Sequence, residues 1–294
     1  MVGNQDGAYT ASVRLPGTCG EWVQGALDGI PCLISCAIDW FAEVTVSLDP
    51  TTAGWEAPSD APKAVAALHL ALSARGVLAS GGRLKLANPL PRGRGYASST
   101  ADVAGTIYAV GRALGAPFRP EEAAALAVRV EPSDSTVFPG LALFAHRDAR
   151  WYHVWGRLPP LEAIILDPGG EVNTLAFNAS DHRAALARLA SEHRDAFQMM
   201  EDGIVQGDAR LIAAAATLSA RAHQAILYSP LVEECLALAP RIGALGVVRA
   251  HSGTLAGLVC LPEDGGALVA RVAARFSDFV VQRCRCLGQW GQPT

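Results

Sequence analysis

Between Pro91 and Thr106 the sequence reads PRGRGYASSTADVAGT, a glycine-rich loop that follows an apparent strand and runs straight into a helix. Strand, tight turn and helix in succession call for layered packing. Val103, Ile107, Val110 and Leu114 recur at helical spacing and can bury one face, while Ala101, Ala104, Gly105 and Ala109 admit a neighbouring element at close range. Gly93 and Gly95 let the backbone approach a ligand with no Cβ in the way. The amides of Ala97 to Thr100 open the helix where its dipole favours anions, so phosphate is the expected ligand.

Other phosphate loops fit poorly. A dinucleotide fingerprint needs a third glycine where Ser98 stands, and an acidic residue roughly twenty positions later at a strand end. A Walker loop needs a lysine before its Ser/Thr, but the only lysines, Lys63 and Lys85, lie elsewhere. His146-Arg147-Asp148 and His193-Arg194-Asp195 lack the downstream asparagine of a protein-kinase catalytic loop. What remains is Pro-x-x-x-Gly-x-x-Ser-Ser, here Pro91, Gly95, Ser98 and Ser99, which resembles the phosphate loop of the GHMP kinases. The usual family form has glycine where Ala97 stands and an apolar residue where Tyr96 stands. The resemblance implies ATP and Mg2+ as cofactors, with the nucleotide held by Pro91, Gly93, Arg94, Gly95, Tyr96, Ala97, Ser98, Ser99 and Thr100.

Composition sets the frame for this loop. A chain of 294 residues, 50% of them hydrophobic, can bury substantial cores, and two domains are expected. With 24 basic and 28 acidic residues the net charge is −4, and no basic stripe is long enough to track a nucleic-acid backbone. No apolar run reaches membrane-spanning length and no signal-like start is visible, so a cytoplasmic protein with no membrane or nucleic-acid partner is expected. Seven cysteines, odd in number and without paired Cys-x-x-Cys ligands, read as reduced thiols rather than a zinc site or disulfide framework.

In chain order, Ser12 to Leu15 reads as a strand, and Pro16 to Gly20 as a turn leading to Glu21. Leu33 to Leu48 is rich in β-formers, and Asp39 inside it reads as a partnered structural charge. A helix from Pro62 to Arg75, a strand from Gly82 to Ala87, the glycine loop with its helix, and a helix from Pro120 that stops before Pro132 follow. Strands are expected over Leu141 to Phe144, Trp151 to Trp155 and Leu161 to Leu166, then a turn at Pro168-Gly169-Gly170 and a loop with Asn173 and Thr174. Helices are expected over Asp181 to Met200, Asp208 to Leu227 and Pro230 to Leu238, where His182, His193 and His223 read as surface or satisfied side chains. Strand, glycine turn and strand over Leu245 to Leu261, a helix from Ala267 to Phe276 and a strand from Phe279 to Cys286 complete a split β-α-β pattern.

The segments around Glu21 and around Ser252-Gly253 resemble the other two GHMP segments. The resemblance therefore implies an α/β (α+β) two-domain GHMP kinase fold, with a ribosomal-protein-S5-like domain over 1–157 and a ferredoxin-like split β-α-β domain over 158–294. It also places Glu21, Ser252 and Gly253 beside the substrate, with the third segment facing the phosphate loop.

Glu131 and Asp134, in EPSDSTVFPG, form the second chemical constellation. Two carboxylates beside a phosphate loop suit phosphoryl transfer, one holding magnesium and the other taking the proton of an acceptor hydroxyl. By position Glu131, with Ser99, is the metal pair and Asp134 the base. By themselves the residues also fit a helix-end glutamate and an aspartate turn cap. Within the superfamily, GYASSTAD and EPSDSTVFPGL most resemble the L-threonine kinases of cobalamin biosynthesis, which implies an amino-acid acceptor, L-threonine. Another small-alcohol kinase such as a homoserine kinase, a catalytically silent ligand sensor and a phosphate-assisted decarboxylase stay open, as does a homodimer. An amino-acid acceptor needs a cation for its carboxylate. Arg249, just before the third glycine turn, is the candidate, the alternative being a surface arginine at a strand end.

Overall fold

Two long antiparallel strands, β1 (Tyr9–Leu27) and β2 (Ile30–Asp49), open the chain in the computed structural model, which describes residues 9–77, 81–170 and 180–290. Asp28 and Gly29 join them with φ of 50° and 78°, the doubly left-handed turn that Asp-Gly favours because its twist matches the strands it links. The turn expected at Pro16 to Gly20 is instead part of β1, where the register with β2 shifts three times between Pro16 and Val23. Gly20 makes this possible: at φ 65° it bulges so close to the Arg249 carbonyl that a Cβ would stand 2.2 Å away.

The other strands are β3 (Trp55–Glu56), β4 (Gly81–Ala87), β5 (Ala142–Phe144), β6 (Tyr152–Val154), β7 (Glu162–Asp167), β8 (Gly246–Arg249), β9 (Ala256–Cys260) and β10 (Val280–Arg285). They join one sheet in the order β10-β7-β9-β8-β1-β2-β4-β3, with β5 paired to β2 and β6 to β5. Helices α1 (Pro62–Ala74), α2 (Ser98–Ala113) and α3 (Pro120–Ala127) belong to the first half. The sequence suggested that α2 buries one face, but every residue of it except Ser99 and Arg112 is buried. It lies between β1, β2, α1 and α3, and Gly105 is needed because a Cβ there would stand 2.7 Å from Val44.

In the second half β7 is followed by α4 (Arg183–Arg188), α5 (Ala190–Gln206), α6 (Ala209–His223) and α7 (Pro230–Ile242), then β8, β9, α8 (Pro262–Arg275) and β10. The antiparallel order β10-β7-β9-β8 places these strands fourth, first, third and second, the split β-α-β arrangement. The helix expected from Asp181 is two, broken at Leu189. Helix α8 starts before the expected Ala267, because Pro262 sets its first turn and Glu263 and Asp264 complement its dipole. Gly265, in that helix, packs closely on β7, where a Cβ would meet Glu162 Oε2 at 2.2 Å. Asn173 and Thr174 lie outside the described residues.

Alternate residues of β7 feed two cores: Ala163 and Ile165 the large one shared with β1, β2 and α2, Ile164 and Leu166 a smaller one under α7 and α8. β1 pairs with β8 at Glu21 and Arg249, which joins the strands of the first half to those of the second. Asp39 is the partnered charge its setting suggested, accepting from Arg285 Nε at 2.9 Å. The seven cysteines are free thiols, six buried and Cys286 half-buried. Among the described residues no helix is long and apolar enough to cross a membrane.

Candidate active site

The glycine loop is clamped at the junction of the two halves. Thr18 N donates to Tyr96 O at 3.1 Å and Gly20 N to Gly95 O at 3.3 Å, while Leu255 N donates to Arg94 O at 3.1 Å from the other side. Gly253 sits so near that a Cβ would stand 2.3 Å from the Arg94 carbonyl carbon. The third glycine segment thus packs on the phosphate loop, and its glycine serves close approach. Asn88 closes the bracket, its Nδ2 donating to Ser98 O, Ser98 Oγ and Asp102 Oδ1 at 3.0, 3.1 and 2.8 Å.

Ala97 precedes α2 in the left-handed region, with φ 57° and ψ 26°. A glycine would take that conformation without strain, and alanine tolerates it at a cost of about 1 kcal/mol. No side chain caps α2, and Ala101 N is its first amide to reach a carbonyl, that of Ala97 at 2.9 Å. The amides of Ser98, Ser99 and Thr100 are therefore left for an anion. These three residues line a cavity of ≈ 370 Å³ together with Pro91, Gly93, Gly95, Tyr96 and Ala97.

Two side-chain pairs stand next to each other on this first turn. Ser99 Oγ donates to Glu131 Oε1, and Thr100 Oγ1 donates to Asp134 Oδ2 at 2.7 Å. The segment that carries both carboxylates is stapled down: Ser35 N donates to Ser135 Oγ at 2.9 Å, Ser135 N to Ser35 Oγ at 3.0 Å, and Ser133 N to His146 O at 3.0 Å. Glu131 and Asp134 are thus presented by a fixed loop rather than capping a helix or turn; Asp134, at the start of a short 3-10 turn, makes no side-chain cap.

Glu21 reaches the same cavity from the bulged part of β1. Burial, together with the charge of Asp134, holds its carboxyl well above the usual carboxylate range, and its Oε2 makes no hydrogen bond. Burial also raises Asp134, against the lowering effect of the Thr100 hydrogen bond. A carboxylate raised in this way is a better proton acceptor near neutral pH.

Sequence reasoning missed Lys63. From the first turn of α1 its Nζ donates to Glu131 Oε2 at 2.5 Å and places a cation beside the loop. The Pro62 that starts α1 was legible, but not that this turn would face a residue 68 positions away. His146 and His251 were also missed. His146 is buried and His251 half-buried in the cavity wall, with ring centroids 5.1 Å apart. His223 and His193 are buried as well, not on the surface; His223 Nε2 lies 2.9 Å from His251 O.

Three predicted residues lie outside the cavity. Gly253 packs behind the loop. Arg94 Nη1 donates to Asp167 Oδ2 at 3.1 Å, where the Tyr96 hydroxyl also donates, so Tyr96 ties the loop to the end of β7. Arg249 is neither a surface arginine nor aimed at the cavity: it is 1% exposed, and its Nη1 donates to Gln224 Oε1 at 2.6 Å and Leu227 O at 2.8 Å. Its position before the glycine turn was right, but the side chain leaves the far face of β8 toward the end of α6. Arg249→Met is therefore expected to lower unfolding stability by about 2–3 kcal/mol. Urea denaturation measures it; wild-type stability with a raised KM for the acceptor would return Arg249 to the site.

Magnesium fits this donor set. Among the described residues no group of three or more His, Cys, Asp or Glu is arranged to hold a metal alone. Mg2+ commonly takes one carboxylate and completes its shell with nucleotide phosphates, and the adjoining Ser99 and Glu131 oxygens suit that role.

An anion-binding helix start, a carboxylate–hydroxyl pair for a cation and a raised carboxyl in one cavity define an α/β phosphotransferase. A family model of the GHMP kinases N terminal domain matches residues 62–140. The L-threonine kinase of Salmonella typhimurium is 30% identical over 253 residues, 86% of this chain and 84% of that protein. The L-threonine kinase of Citrobacter freundii is 31% identical over 254 residues, 85% and 86% of the two chains. Among solved structures, a homoserine kinase from Cytophaga hutchinsonii shares the fold with a TM-score of 0.73 at 18% identity, covering 98% of each chain. The chain belongs to the GHMP kinase family.

Proposed function

We propose that this kinase transfers the γ-phosphoryl group of ATP to the side-chain hydroxyl of L-threonine, forming O-phospho-L-threonine for cobalamin biosynthesis in the cytoplasm. The reading rests on one observation above all: the Ser99–Glu131 and Thr100–Asp134 pairs sit side by side on the first turn of α2. The likeness to two L-threonine kinases supports the choice of acceptor.

The first-turn amides of α2 cradle the phosphates, and Ser99 with Glu131 holds Mg2+. The ion, when bound, neutralises charge on the phosphate oxygens. Lys63 aims Glu131 by donating to its Oε2. Thr100 positions Asp134, which accepts the hydroxyl proton as the threonine oxygen bonds to phosphorus and the bond to the ADP oxygen breaks. Glu21, buried without a cation, is a receiver for the acceptor's ammonium, whose charge would offset the repulsion between the two carboxyls.

Purified protein with magnesium and ATP is expected to release ADP with L-threonine in clear preference to serine, homoserine, mevalonate and galactose. If homoserine wins, the acceptor is reassigned. If no alcohol releases ADP but nucleotide binds, the chain is a sensor; carbon dioxide from a phosphorylated acid would make it a decarboxylase.

A further inference from the structure

L-Threonine differs from serine by one methyl group, on the same carbon that bears the reacting hydroxyl. Methyl and hydroxyl cannot be placed independently, so a site that prefers threonine needs an apolar surface beside the group that takes the hydroxyl proton.

One buried side chain supplies such a surface. Strand β2 turns Cys32, Ile34, Cys36 and Ile38 into the large core, and Leu33 and Ser35 to the opposite face. Leu33 is 2% exposed, yet it belongs to neither core; among the described residues, every other buried apolar side chain outside the two cores is an alanine. Instead it lines the main cavity. A buried leucine that packs into no core forgoes contacts that an apolar group of a ligand can supply.

The neighbours of Leu33 fix its place in that cavity. Ser35, two residues on and on the same face, exchanges two hydrogen bonds with Ser135, the residue after Asp134: Ser35 N donates to Ser135 Oγ at 2.9 Å, and Ser135 N to Ser35 Oγ at 3.0 Å. In the register with β1, Leu33 stands opposite Gln24, whose Oε1 lies 2.6 Å from His251 Nδ1. Leu33 is therefore held between the loop that carries Asp134 and the His251 side of the cavity. The other apolar side chains there larger than alanine are Pro62, Pro91, Tyr96 and Pro132. Pro62 and Pro91 belong to the start of α1 and to the phosphate loop, Tyr96 is 1% exposed with its hydroxyl committed to Asp167, and Pro132 directly follows the metal-side Glu131.

We infer that Leu33 is the specificity-determining contact for the methyl group of the acceptor. The inference rests on the L-threonine reading above and deepens it: the kinase selects secondary over primary hydroxyls of amino acids, because only a branched carbon places a methyl on Leu33 while its oxygen faces Asp134. Serine leaves a gap there, homoserine brings an unbranched carbon, and a longer branch collides with the leucine.

The test measures kcat/KM for L-threonine, L-serine and β-hydroxynorvaline, which carries an ethyl group where threonine carries its methyl, in wild type, Leu33→Ala, Leu33→Val and Leu33→Met. Wild type is expected to favour threonine over serine by about tenfold to two-hundredfold, the range for one small apolar group in a pocket. Leu33→Ala should cut that ratio about tenfold, through loss on threonine, and should raise β-hydroxynorvaline relative to threonine because the ethyl group gains room. Leu33→Met, close in volume, should hold the ratio within about threefold. A ratio between acceptors cancels any general loss of folded protein or of ATP binding, so destabilisation alone does not move it. Leu33→Val, one methylene smaller, gives the same readout in milder form if the alanine variant does not fold. An unchanged threonine-to-serine ratio in the folded variants, with the wild-type preference intact, overturns the role of Leu33 and leaves the threonine reading standing. A wild-type enzyme that prefers serine or homoserine overturns both.

Discussion

Asparagine at position 134 is expected to leave a folded protein that binds magnesium and ATP while kcat falls by about a hundredfold to ten-thousandfold. The amide keeps the shape of the carboxyl and can still accept from Thr100 Oγ1, which lies 2.7 Å from Asp134 Oδ2. What it loses is the ability to take a proton. Burial raises the Asp134 carboxyl above the usual carboxylate range, the direction that would favour its taking the acceptor proton in the proposed reaction. The replacement also removes charge beside Glu21, whose elevated pKa owes its second-largest contribution to Asp134. Glu21 should then ionise more readily, so the variant's stability, unlike its turnover, should hold. Rapid-quench measurement of the first turnover, with nucleotide binding measured separately, separates the two effects. A variant within a few-fold of wild type would reduce Asp134 to an anchor for the loop.

The second large effect is expected at Ser99, where alanine should cost about a hundredfold or more in turnover with magnesium and ATP. Ser99 is one of the two residues of α2 not fully buried, so truncation removes no core packing. Its hydroxyl reaches Glu131, and without it the carboxylate keeps Lys63 as its remaining partner there. Cation affinity should fall more than nucleotide affinity, because the first-turn amides stay in place. Kinetics over a range of magnesium concentrations checks this: excess metal should restore part of the rate, and a loss that no metal concentration alters would place Ser99 on the phosphate rather than on the ion.

Both predictions concern residues that were legible in the chain, and the reason is local. Phosphate binding at a helix start depends on backbone turns, on small residues and on hydroxyls in consecutive positions, and PRGRGYASSTAD contains them all within one stretch. Glu131 and Asp134 were legible because three positions separate them. Strands β2, β7 and β9 and helix α1 likewise announce themselves by β-rich runs and helical periodicity. The early end given to the first strand came from reading Pro16-Gly17 and Gly20 as a turn, when Gly20 serves a bulge; the Asp28-Gly29 turn was the true end of the strand. Tyr96, which departs from the family pattern, finds its reason only in Asp167, 71 positions away.

The sequence by itself determined the order of the elements, the glycine loop with its helix and the family, since each follows from residues close together or from a repeated pattern. The tertiary structure alone decided which charges meet. Lys63 reaches Glu131 because α1 packs against α2, and Glu21 lies beside Asp134 because a bulge in β1 shifts its register. Arg249 and His251, two positions apart, go to different places because β8 ends at Arg249 and the chain bends before His251: one side chain enters the packing at the end of α6, the other the wall of the cavity. Gln24 orients His251 across 227 positions of chain. Pairings of this kind depend on strand register and on the depth of each side chain, quantities set by packing many distant residues at once and absent from any local run of the sequence.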